Sequence, residues 1–88
     1  MYHVHLSSKA NKYMQKLEPK ARAHIESVLK RLATNPVPSS SRFIFRDETG
    51  DKVFRIRAGD QRALYKILER DKIVLVAKID KRPRVYHR

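Results

Sequence analysis

Apolar and polar positions change period halfway along this chain. From Met1 to Leu6, Tyr2, Val4 and Leu6 alternate with His3 and His5, the period of a half-buried strand. A helical spacing follows. Ser7 or Ser8 can cap a first helix carrying Ala10, Met14 and Leu17 on one side. Glu18-Pro19 interrupts the pattern and restarts it as a second helix with a stripe of Ala21, Ile25, Val28, Leu29 and Leu32. Asn35-Pro-Val-Pro38 ends that helix, and Ser39 to Ser41 continues as loop.

Beyond the serines the period is two. Arg42 to Arg46 reads as a short strand, Asp47 to Asp51 as a turn around Gly50, and Lys52 to Ala58 as the next strand. Gly59-Asp60 is a two-residue connection with glycine first, the signature of a type II′ hairpin turn, so Gln61 to Leu68 returns antiparallel. Glu69 to Lys72 turns into Ile73 to Ile79, which is apolar on both faces and therefore belongs inside the sheet. The predicted order is β-α-α-β-β-β-β. It describes one α+β domain over 1–88, with an N-terminal strand and a helical hairpin packed on one face of a twisted, mainly antiparallel sheet.

The tight turn fixes more than topology. It pairs 58 with 61, 57 with 62, 55 with 64 and 53 with 66, and pairing decides which face each side chain takes. Phe54, Ile56, Ala58, Ala63, Tyr65 and Ile67 then supply the surface the helices need. Arg55, Arg57, Arg62 and Lys66 share the other. Arg57 and Arg62 are predicted to stand opposite each other, which costs stability. A solvated sheet face accounts for basic side chains there in general. Here neither strand offers a carboxylate on that face, and a further cluster, Lys81-Arg82-Pro83-Arg84 with Val85-Tyr86, follows the last strand. An anion-binding face is the better reading.

Composition points the same way. The 88 residues carry 21 Lys and Arg against 9 Asp and Glu, a formal charge of +12, and both halves of the chain contribute to the excess. Such a field attracts polyanions by counterion release, nucleic acid foremost, although an acidic protein would also answer it. Arginine forks suit phosphate oxygens, and Tyr86 beside them could stack on an RNA base. Lys9, Lys12, Lys16 and Lys20 form a second, helical basic stripe, either a soluble exterior or a contact for RNA phosphates. The absence of cysteine excludes disulfides and thiolate-bound metal. The longest apolar run, Ile73 to Ala77, is far too short to span a membrane. His3 and His5 have no third ligand near them in sequence, so no metal or cofactor is expected. These features suggest a cytoplasmic protein.

The run Phe54-Arg-Ile-Arg-Ala-Gly-Asp-Gln-Arg62-Ala-Leu-Tyr65, followed by Ile79-Asp-Lys-Arg82-Pro-Arg-Val-Tyr86, resembles the RelE/ParE toxin superfamily, whose element order is the one inferred above. The resemblance implies a RelE-like toxin that cuts messenger RNA in the ribosomal A site and is silenced by a cognate antitoxin. The cut is an attack of a 2′-hydroxyl on the adjacent phosphate. By position, Arg55 and Arg57 match basic residues on the strand before the tight turn. Arg62 and Arg82 match a pair that grips the scissile phosphate, and Tyr86 matches a tyrosine that orients the base. Lys81 stands where many relatives have histidine. The implied site is thus Arg57, Arg62, Lys81, Arg82 and Tyr86, with Arg55, Lys66, Arg84, Lys9, Lys12 and Lys16 as further RNA contacts. Arginine is a poor proton acceptor near neutrality, which leaves Lys81, Tyr86 or His87 for acid-base work and implies slow cleavage of free RNA. A ParE-like topoisomerase inhibitor without catalysis, or a decayed module that binds RNA or antitoxin, are the alternative functions.

Overall fold

The structure, a computed structural model, describes residues 1–81. Its elements run β1 (His3–Leu6), α1 (Ser8–Lys16), α2 (Pro19–Lys30), a 3₁₀ turn (Arg31–Ala33), β2 (Ser41–Arg46), β3 (Lys52–Ala58), β4 (Gln61–Leu68) and β5 (Ile73–Lys81). The strands form one sheet in the order β1-β5-β4-β3-β2, with β1 parallel to β5 and all other pairs antiparallel. This is the α+β arrangement expected, and β5 lies inside the sheet.

Local chemistry explains the elements. Ser7 caps α1 by accepting from the Ala10 amide at 3.0 Å. Pro19 opens α2, where its missing N–H is no loss. At the β3–β4 connection φ is +66° at Gly59, while Asp60 has no positive φ, the sign pattern of a type II′ turn. The helices bury Ala10, Met14, Ile25, Leu29 and Leu32 against Phe54, Ile56, Ala63, Tyr65, Val74, Val76 and Ile79. Phe54 stacks on Tyr65 with ring centroids 5.6 Å apart, and the fully buried Tyr65 hydroxyl donates to the Pro36 carbonyl at 2.7 Å.

One irregularity governs the placement of functional groups. Leu64 pairs with Lys78 but Tyr65 pairs with Val76, so Ala77 is an extra residue in β5, a β-bulge. The Ala77 carbonyl, lost to the ladder, accepts from the Ser7 hydroxyl at 2.7 Å. The same serine therefore caps α1 and holds the bulge. Past Ala77 the faces of β5 exchange parity: Ile79 and Lys81 are in register with Ala63 and Gln61 on the helix side, while Lys78 and Asp80 are in register with Leu64 and Arg62 on the outer side.

The helices stop short of β2. Phe43, Ile44 and Phe45 are 54 %, 41 % and 47 % exposed on this edge strand, and a second bulge between Phe43 and Phe45 separates their faces.

Candidate RNA-binding site

The hairpin register is the one the turn dictates: Ala58 with Gln61, Arg57 with Arg62, Arg55 with Leu64 and Val53 with Lys66. Arg55, Arg57 and Arg62 accordingly lie on the face away from the helices. Next to them, Arg42 of β2 is in register with Arg55. Two adjoining hollows result. The larger, about 340 Å³, is lined by Ser39, Ser40, Arg42, Arg55 and Arg57. The smaller, about 130 Å³, is lined by Arg57, Gly59, Asp60 and Arg62. Arg57 belongs to both. Guanidinium groups from three strands, with two serine hydroxyls beside them, form a surface suited to successive phosphates.

Arg62 is only 8 % exposed, whereas Arg57 opposite it is exposed. The register also sets Asp80 of β5 on the far side of Arg62, so the outer face does carry an acidic residue, brought by the neighbouring strand. Asp80 is held by Lys78 at 3.3 Å.

Two of the expected site residues have surroundings that the sequence did not show. Lys66 is ion-paired within the protein. Its ammonium is 2.7 Å from Asp47 and 3.0 Å from Asp51, carboxylates of the β2–β3 turn that sequence distance concealed. The Lys66 hydrogen bond, with help from Thr49, holds the Asp47 carboxyl well below the usual carboxylate range, and the two aspartates raise Lys66 in turn. Lys81 does not join the arginines. Because of the bulge at Ala77 it faces the helices and lines a separate groove of about 740 Å³ with Tyr13, Lys16, His24 and Gln61. In that groove the Tyr13 hydroxyl donates to Gln61 at 2.7 Å, and burial, followed by the charges of Asp80 and Asp60, raises the Tyr13 phenol.

The Lys9, Lys12 and Lys16 stripe sits on α1, on the helix side of the sheet, so it is a surface distinct from the arginine face. Arg82, Arg84 and Tyr86 lie outside the described residues. Sequence reasoning did not single out Arg42 and Asp60, which line the two hollows. Arg42 could have been found from its position two residues past the Ser39-Ser40 loop, had the pairing of β2 on β3 been counted.

No family model matches the chain. A curated protein of Methanocaldococcus jannaschii, named "Putative toxin RelE1", is 29 % identical over 85 residues, covering 97 % of this chain and 94 % of that one. Among solved structures, a chain of the toxin–antitoxin complex RelBE2 from Mycobacterium tuberculosis superposes with a TM-score of 0.76 at 26 % identity, over 92 % of this chain and 98 % of that one. The archaeal RelE–RelB complex from Pyrococcus horikoshii OT3 gives a TM-score of 0.82 at 23 % identity, over 96 % and 98 %. The isolated RelE toxin of E. coli gives 0.74 at 19 %, over 98 % and 89 %. The fold is that of the small α+β proteins built on a helical hairpin and a mainly antiparallel sheet to which the RelE structures belong. Within that class the chain is similar over nearly its whole length to RelE toxins.

Proposed function

We propose that this RelE-like toxin is an endoribonuclease that cuts messenger RNA on the ribosome and is held inactive by an antitoxin. The carrying observation is the convergence of Arg42, Arg55, Arg57 and Arg62 on two adjoining hollows that share Arg57. That spacing suits a chain of phosphodiesters better than a single anion. Fixed guanidinium groups can stabilise charge as it builds on a scissile phosphate without reorganising, and a ribosome-bound message would arrive already positioned. Arg82, Arg84 and Tyr86 complete the proposed site through the resemblance alone.

The antitoxin reading is supported by the solved relatives that carry one, and by one surface of this chain. The exposed Phe43-Ile-Phe45 edge offers unpaired backbone and apolar side chains, flanked by Arg42 and Arg46. An acidic, apolar segment matches it.

The test is to induce the chain without antitoxin and map 5′ ends across a translated message. Cuts within codons on translating ribosomes, lost in Arg57→Ala, support the reading. Growth arrest with intact messages and damaged DNA would replace it with the topoisomerase alternative, and no effect of either kind would leave a binding module.

A further inference from the structure

Cleavage by a 2′-hydroxyl needs a proton acceptor, and the arginines of the outer face cannot serve. Lys81, the sequence's first candidate, is turned to the other side of the sheet by the Ala77 bulge. His24 is on that side too, with its ring behind the turn, where a Cβ at Gly59 would meet Nδ1 at 3.5 Å. Two carboxylates remain near the arginines among the described residues. Asp80 is in register with Arg62 but is engaged by Lys78 at 3.3 Å. Asp60 lines the small hollow itself, together with Arg57, Gly59 and Arg62, and no hydrogen bond or ion pair within the described residues occupies its carboxylate.

The placement follows from the hairpin. The type II′ turn needs glycine first, which leaves the second turn position to carry a side chain. That position stands at the open end of the Arg57–Arg62 pair. Aspartate is common in turns for local reasons. In a hollow otherwise suited to phosphate, however, a carboxylate opposes binding, so its value must lie elsewhere. Directly opposed β residues stand about 4.5–5.5 Å apart between Cβ atoms, so a phosphate held between Arg57 and Arg62 would bring the neighbouring ribose to the tip of the turn.

We propose that Asp60 is the proton acceptor of the cleavage, taking the 2′-hydroxyl proton of the ribose whose phosphate lies between Arg57 and Arg62. This rests on the endoribonuclease reading. As the 2′-oxygen bonds to phosphorus, its proton passes to an Asp60 carboxylate oxygen. The bond from phosphorus to the 5′-oxygen breaks, and the departing oxygen takes a proton from water. The products are a 2′,3′-cyclic phosphate and a 5′-hydroxyl, and Asp60 returns its proton to solvent. No metal or redox partner is needed. Asp60 borders both the small hollow and the groove, and the charged and titratable groups facing the turn are Arg57 and Arg62 on the outer side, and Tyr13, Lys16, Glu18, Lys20, His24 and Lys81 on the groove side.

Single-turnover cleavage of a defined message on programmed ribosomes, followed from pH 5 to 9, tests this with the intact chain and its Asp60→Asn, Asp60→Glu and Asp80→Asn forms, each verified as folded by thermal unfolding. General-base catalysis contributes ~10²–10⁴-fold, so Asp60→Asn should lose at least ~100-fold in rate while binding RNA as tightly or more tightly. Its residual rate should climb about tenfold per pH unit as hydroxide takes over. Asp60→Glu should recover part of the loss, and Asp80→Asn should cleave within a few-fold of the parent. If Asp60→Asn cleaves like the parent with the same pH profile, or only its RNA affinity changes, the assignment of Asp60 is overturned while the nuclease reading stands. If the unsubstituted chain leaves the message intact, the nuclease reading falls and takes this assignment with it.

Discussion

The Tyr13 hydroxyl on α1 donates to the side-chain carbonyl of Gln61, the first residue of β4, at 2.7 Å. This bond ties the helical hairpin to the strand that carries Arg62, across the groove lined by Lys16 and Lys81. Gln61 is buried, so removing its partner leaves a polar group without solvent. Tyr13→Phe is expected to lower unfolding free energy by about 1–2 kcal/mol in urea titration while leaving RNA affinity within twofold. A loss of affinity equal to that of an arginine variant would show the groove to be part of the RNA surface.

Arg57 and Arg62 face each other across the hairpin, and like charges so placed oppose folding. Replacing the exposed Arg57 with Gln is therefore expected to leave the melting temperature unchanged or slightly raised. Its RNA affinity should fall, and the slope of log affinity against log salt should flatten by about 0.7–0.9 for each phosphate that the variant no longer neutralises. A variant that melts earlier yet keeps the parent's salt dependence would mark Arg57 as structural.

Lys66 should behave in the opposite way. With Asp47 and Asp51 as its partners, Lys66→Met is expected to lower the melting temperature by a few degrees at pH 7 and to leave RNA binding unchanged. The folded Asp47 carboxyl lies below its unfolded value, so its contribution is complete above the ordinary aspartate range and is lost as pH falls through the folded value. Lys66 is raised, so its share persists at neutrality and disappears only at strongly alkaline pH. The parent's advantage over Lys66→Met should accordingly shrink in strong acid. Melting curves of the two proteins from pH 2 to 8 check the acid side, and curves from pH 8 to 12 the alkaline side.

Gly59 has φ of +66°, and a Cβ there would be in ordinary contact with His24 at 3.5 Å. The penalty for Gly59→Ala is thus conformational and not steric. A loss of about 1 kcal/mol or more is expected, from a backbone region alanine avoids. Because the turn aligns Arg57 with Arg62, cleavage on programmed ribosomes should drop further than stability does. Equal losses would show that the turn acts only on folding.

The exposed β2 edge gives a last prediction. Ile44→Lys is expected to leave the core untouched, since Ile44 is 41 % exposed, and to weaken antitoxin binding by at least tenfold in a titration. Unchanged antitoxin affinity would remove β2 from that interface.

The hairpin was legible because everything that sets it is local. Gly59-Asp60 determines the turn, the turn determines the register, and the register sends Phe54, Ile56, Ala63 and Tyr65 inward and Arg55, Arg57 and Arg62 outward. The strand–helix–helix order and the interior position of β5 were likewise carried by period and by apolar runs. Lys66, Lys81, Arg42 and Asp80 could not be placed this way. Each depends on an interaction distant in sequence: a turn 15 to 19 residues upstream of Lys66, the pairing of β2 on β3, and the Ser7 hydroxyl that bonds the Ala77 carbonyl from 70 residues away. That last bond stabilises a bulge which strand alternation does not announce. It inverts the end of β5, turning Lys81 toward the helices and Asp80 toward Arg62. Local sequence therefore settled which residues form a basic face, because backbone geometry alone enforces it. Tertiary structure decided that Lys66 is ion-paired and that Lys81 turns away from the arginines, because pairing energy depends on distance in space.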